Sequence, residues 1–171
     1  MKTPQHFGLI YFTLAIAQII IGNCFHLSAY VTLSILPVMV LCIPLNVGTI
    51  AAMLIAFATG LAADASCEGL AGLNALALVP VAFIRKPLIR LVFGEELIER
   101  KQQFSIRKFG WTKTSAAILA VQSIFLIIYI IADGAGARPF WFNASRFGAS
   151  LAAGWLLSLA VAAVIVPDDK K

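Results

Sequence analysis

Stretches of about fifteen to twenty consecutive uncharged, mainly apolar residues separate tight clusters of charge along this chain. At 1.5 Å per residue, a helix of that length crosses a hydrocarbon layer ~30 Å thick. A β-barrel would instead alternate apolar and polar residues over segments of ~10, and no such alternation is present. The charge content points the same way. Only 12% of the 171 residues are charged, 61% are apolar, and the mean hydropathy is +0.94. A soluble domain carries about a quarter charged residues, so this chain has too few polar side chains to cover a water-facing surface. The expected fold is all-α: a single polytopic membrane helical bundle of about six transmembrane helices.

The spans are expected near 7–21, 31–43, 47–63, 70–84, 115–132 and 147–166. The second is short and contains Pro37, with Pro44 just beyond, so it is expected to be kinked, tilted or partly re-entrant. The first run follows Lys2 and His6 and is soon followed by another, which favours a retained helix over a cleaved leader.

Orientation follows from the loops. With both termini inside, Lys2, Arg85, Lys86, Arg90, Arg100, Lys101, Arg107, Lys108, Lys113, Lys170 and Lys171 all lie on the cytoplasmic side. Of the 13 basic residues, Arg138 and Arg146 alone fall outside. Basic residues resist translocation, so this asymmetry predicts that both termini are cytoplasmic. It also explains the net charge of +5 without any nucleic-acid partner. Segment 85–113 mixes apolar and basic residues with Glu95, Glu96 and Glu99. Three readings stand: an amphipathic element on the cytoplasmic face near anionic lipid headgroups, a solvated basic loop that sets topology, or a docking surface for a cytoplasmic partner. The aromatic group Phe140, Trp141 and Phe142 is expected in the outer loop 133–146, at headgroup level.

Two spans carry ladders of small residues at a spacing of four: Ala52, Ala56, Gly60 and Asp64 in the third, and Ser150, Gly154, Ser158 and Ala162 in the sixth. Small residues let helix backbones approach closely in lipid, so these faces are expected to meet helices, either within the bundle or from a partner. Gln122 and Ser123 are polar near mid-membrane and are expected to face inward, for an interhelical hydrogen bond.

Asp64 is the ionisable residue that most needs a reason, because a carboxylate this close to hydrocarbon is costly. One reason is structural: it would accept hydrogen bonds from the N-terminal amides of the following helix, near Gly69–Asn74. The other is functional, a catalytic acid or an ion site. Asp64 and Asp133 are both expected at the outer face, where two carboxylates sharing a proton would make an aspartyl protease site of the lipoprotein signal-peptidase kind. Their contexts, Leu-Ala-Ala-Asp64 and Ile-Ile-Ala-Asp133, lack the Asn-containing motifs of those enzymes. No phosphate loop, metal-spaced His/Cys cluster or nucleophile elbow occurs, so neither catalysis nor a metal or cofactor is expected. Cys24, Cys42 and Cys67 read as small buried hydrophobes, with a Cys24–Cys67 disulfide as the alternative.

One further reading comes from the order of short motifs. His26-Leu27-Ser28-Ala29-Tyr30-Val31 follows the first span, and Gly60-Leu61-Ala62-Ala63-Asp64 closes the third. Gly69-Leu70-Ala71-Gly72-Leu73-Asn74-Ala75 opens the fourth, and Phe83-Ile84-Arg85-Lys86-Pro87-Leu88-Ile89-Arg90 leaves it. Over about residues 20–95 this arrangement resembles the MreD family, in the form found in Bacteroidetes-like organisms. Many members have a His where this chain has Asn74. The resemblance implies a fold similar to the six-span substrate-binding subunits (S-components) of energy-coupling-factor vitamin transporters. It also implies a non-enzymatic scaffold of the rod-shape (elongation) system, working with MreC, MreB, RodA and its class B transpeptidase in lateral peptidoglycan synthesis. A small-molecule transport subunit is the alternative that the shared fold brings with it.

Overall fold

The computed structural model describes residues 5–24, 31–66, 72–94, 110–134 and 138–165. All regular structure among them is helical: α1 (Gln5–Cys24), α2 (Leu36–Leu41), α3 (Thr49–Ser66), α4 (Leu73–Phe93), α5 (Trp111–Gly134) and α6 (Phe140–Ile165). Three of these helices, α3, α5 and α6, are long and apolar enough to cross a membrane, and α1 adds a shorter apolar stretch, Gly8–Gly22. Large apolar side chains cover the outside of the molecule, among them Leu9, Phe12, Ile50, Leu54, Phe83, Ile131 and Leu156. Water would penalise such a surface, and lipid would not.

The chain order is reflected in the packing. Helix α4 lies against α3 on one side and α5 on the other, and α6 lies against α5. Helix α1 leans on α3. The short α2 sits in the middle and touches all the other helices. Residues Ser34 to Ile43 are almost completely shielded, and they form the centre of the core with Ala56, Leu78, Val81, Ile118 and Phe125.

The second expected span is therefore real as a buried segment but is not a spanning helix. Six residues of α-helix reach only ~9 Å, about a third of a hydrocarbon layer. Residues 31–35 before it are non-helical. Pro37 sits in the first turn of α2, where its missing N–H costs nothing. Pro44 follows the end, and a turn with Val47 N–H donating to the Pro44 carbonyl (3.1 Å) leads into α3.

Two other boundaries differ from expectation. Helix α4 does not stop at 84. It runs through Arg85, Lys86 and Pro87 to Phe93 and ends at Gly94, whose φ of 87° suits glycine and whose N–H donates to the Arg90 carbonyl. The beginning of the 85–113 segment thus belongs to α4, and 95–109 lies outside the described residues. Likewise Phe140, Trp141 and Phe142 form the first turn of α6 rather than a loop, started by the Pro139 carbonyl, which accepts from the Phe142 and Asn143 amides. Phe140 and Trp141 are strongly exposed.

Candidate functional site

The α3–α4 junction is built around Asp64. Helix α4 begins after Gly72, whose φ of 97° favours glycine, and Gly72 itself has no side chain to cap the first amides. Asp64 supplies the cap from the neighbouring helix. Its Oδ2 accepts from the Gly72 amide (3.0 Å) and the Ala75 amide (3.3 Å), and its Oδ1 accepts from the Asn74 amide (3.1 Å) and the Asn74 Nδ2 (2.8 Å). Negative charge at a helix N-terminus is favourable there for both hydrogen bonding and the helix dipole. One turn earlier, Gly60 lets the two backbones touch. A Cβ on Gly60 would stand 2.5 Å from the Ala75 backbone, closer than any real contact. Ala52 and Ala56 continue the same buried face. The small-residue ladder of α3 is thus used inside the chain, against α4.

The second ladder is used in the same way. Ser150, Gly154, Ser158 and Ala162 are buried, and a Cβ on Gly154 would meet Gln122 Nε2 at 2.4 Å. Both ladders are closed off by this chain's own helices, so neither offers a face to a partner.

Gln122 introduces the feature that most distinguishes this bundle. A non-helical backbone such as 31–35 exposes N–H and C=O groups that cannot stay unpaired in an apolar core. Side chains from the surrounding helices fill those bonds. Gln18 on α1 accepts from the Ile35 amide (2.8 Å) through Oε1 and donates to the Leu33 carbonyl (3.4 Å) through Nε2. Gln122 on α5 donates to the Ser34 carbonyl (3.3 Å). Ser150 on α6 accepts from the Thr32 amide (2.8 Å). Ser34 Oγ then accepts from the Leu36 amide as α2 starts. Gln122 thus faces inward as expected but bonds to the backbone of the non-helical segment and not to another helix, whereas Ser123 bonds within its own helix to the Leu119 carbonyl (2.7 Å).

At one end of this seam lies a cationic cluster. Asp133 accepts from Arg138 Nη1 (2.9 Å) and from Arg146 Nη1. Arg146 is buried, donates through Nη2 to Thr32 Oγ1 (3.1 Å), and sits 5.9 Å over the Tyr129 ring. Asp64 and Asp133 are therefore each committed to different donors, the first to amides of α4 and the second to two guanidinium groups.

The basic residues behave differently from one another. Arg85, expected on the cytoplasmic surface, is instead buried at 1% exposure, because it lies on the same face of α4 as Val81, Ala82 and Ile89. Its Nη2 donates to the Pro44 carbonyl at 3.2 Å. Lys86 is half-buried and Arg90 exposed. Arg100, Lys101, Arg107 and Lys108 lie outside the described residues, as do Cys67 and His26. Cys42 is free and buried, in line with its reading as a small hydrophobe.

Sequence reasoning passed over Gln18, Thr32 and Arg146 as bundle residues. A lone Gln in the apolar run 7–21 was a usable signal, because an amide side chain there needs a polar partner. It also passed over a third stripe of mostly small residues. Ala144, Gly148, Ala152, Leu156 and Ala160 recur every four residues on α6, and all are exposed. A Cβ on Gly148 would meet nothing within 4 Å.

Helices long and apolar enough for a bilayer, with polar side chains turned inward onto a broken central segment, define a helical membrane protein. No known family, curated protein or solved structure matches this chain.

Proposed function

We propose that this chain is a non-enzymatic scaffold subunit of the bacterial elongation (rod-shape) complex, an MreD-like protein of the inner membrane with about six membrane segments and both termini cytoplasmic. The motif order between residues 20 and 95 supports that assignment, and the excess of Lys and Arg on one side supports the orientation. The observation that carries the scaffold reading is the outward stripe Ala144, Gly148, Ala152 and Ala160 on α6. Lipid-facing surface needs only apolar bulk, whereas a row of small residues gives a second helix a close approach. A single-span partner such as MreC fits that surface. RodA, its transpeptidase and MreB then join through MreC, through the basic cytoplasmic side, or through anionic lipid.

The test is co-purification from native membranes in mild detergent. Gly148→Leu combined with Ala152→Leu is expected to reduce recovery of MreC by about tenfold, the effect of losing ~1–2 kcal/mol of helix packing. Thermal unfolding of the isolated subunit stays unchanged, because both positions are exposed. Full recovery of MreC by the double variant would reject α6 as the docking face. Recovery of an ATPase pair in place of wall-synthesis proteins would reject the scaffold reading altogether.

One observation favours the second reading, a substrate-binding subunit of a vitamin-type transporter. Transporters place ligands where a membrane helix is broken, and residues 31–35 are such a break. Micromolar or tighter binding of a vitamin-sized molecule by the purified chain would establish it.

A further inference from the structure

Among the described residues, no carboxylate balances the charge of Arg85. Nη2 is bonded to the Pro44 carbonyl, while Nε and Nη1, on either side of it, are buried and have no partner. A guanidinium has five N–H donors and no acceptor, and leaving charged donors unsatisfied in an apolar interior is among the costliest arrangements a protein can hold. Gln122 Oε1, Asn143 Oδ1, Ser158 Oγ and Arg146 Nε are also buried without a partner, but the first three belong to neutral side chains and Arg146 is paired with Asp133. Both aspartates in the described residues are committed elsewhere, Asp64 to the start of α4 and Asp133 to Arg138 and Arg146.

The position of Arg85 says what kind of group is missing. Gly60 on α3 is level with Ala75 on α4. Ten residues, or ~15 Å of helix, separate Ala75 from Arg85, and the same interval separates Gly60 from Ile50. Arg85 is therefore level with the first turn of α3, beside the Pro44 turn. That end of the helix pair carries Lys86 and Arg90. A planar guanidinium at headgroup depth, next to further cations, matches a tetrahedral oxyanion better than any neutral ligand.

We propose that Arg85 is the binding point for a phosphate-type oxyanion, carried by an anionic phospholipid headgroup or free in the cytoplasm. Nε and Nη1 touch no solvent, so the side chains around them must give way to seat the anion, which then exchanges slowly and co-purifies. The proposal does not depend on the scaffold reading.

The full chain, purified in a neutral detergent and washed free of phosphate buffer, is subjected to native mass spectrometry and to phosphorus assay after organic extraction. The wild type is expected to carry one phosphorus-bearing group per chain. Phosphorus in the organic phase assigns it to a lipid headgroup, and phosphorus in the aqueous phase to free phosphate. Arg85→Gln is expected to lower the occupancy by at least about tenfold, the loss of charge-assisted hydrogen bonds. Arg85→Lys, which keeps the charge and guards against misfolding of the neutral variant, is expected to lower it measurably. Lys86→Gln leaves it near the wild-type level. A wild type without bound phosphorus overturns the proposal, and so does an Arg85→Lys protein as fully occupied as the wild type.

Discussion

Asp64→Ala is expected to be the most damaging single substitution at the α3–α4 junction, lowering stability by about 3 kcal/mol. The carboxylate accepts from three backbone amides and one side-chain amide at the start of α4. Its removal leaves those amides without acceptors, and Ala75, at 1% exposure, is out of reach of water. It also removes a negative charge from the N-terminus of α4, where the dipole favours one. Asp64→Asn keeps one acceptor oxygen and is expected to lose roughly half as much. Reversible unfolding of the purified protein in mixed micelles measures both. If alanine were tolerated as well as asparagine, the cap would carry no weight, and a chemical role for Asp64 would return to consideration.

Gln18→Leu is expected to cost about 2–4 kcal/mol, although leucine is the more apolar side chain and would be welcome in most membrane helices. Gln18 serves an amide and a carbonyl of the same non-helical segment. Leucine would leave Ile35 N–H and Leu33 C=O unpaired in the centre of the bundle, where Ile35 is 1% exposed. Hydrogen exchange reads the effect locally. Amides in 31–39 are expected to exchange at least about tenfold faster in the variant, while those of α5 keep their protection. A Gln18→Leu protein that is more stable than the wild type would show that the side chain merely fills space.

These two sites differ in how far the sequence disclosed them. Asp64 was legible, because a carboxylate at the end of an apolar run, eight residues before Gly72, has few ways to avoid a penalty other than capping the next helix. The ladders Ala52–Ala56–Gly60 and Ser150–Gly154–Ser158 were legible as close-packing faces by their spacing, but spacing is silent on what they pack against. The structure answers with this chain's own α4 and α5. The central segment was legible only as a weak span. Pro37 and Pro44 marked its irregularity, but its non-helical part is held by Gln18, Gln122 and Ser150, all distant in sequence. Arg85 was misplaced for a related reason. Clustered with Lys86 and Arg90 it reads as surface charge, and only the continuation of α4 past Pro87 turns it inward. The exposed stripe on α6 was overlooked because the inward ladder has the same spacing and is displaced by only two residues.

The proposed membrane placement requires that α5 cross the bilayer, with its basic start on the inner side and the Asp133–Arg146 cluster on the outer. Single cysteines at Lys113 and Arg138, both exposed, placed in a protein whose own three cysteines are replaced, test this in whole cells whose outer membrane admits the reagent. A membrane-impermeant maleimide is predicted to modify Arg138→Cys in intact cells and Lys113→Cys only after the inner membrane is opened. Modification of both positions from the same side would contradict the account.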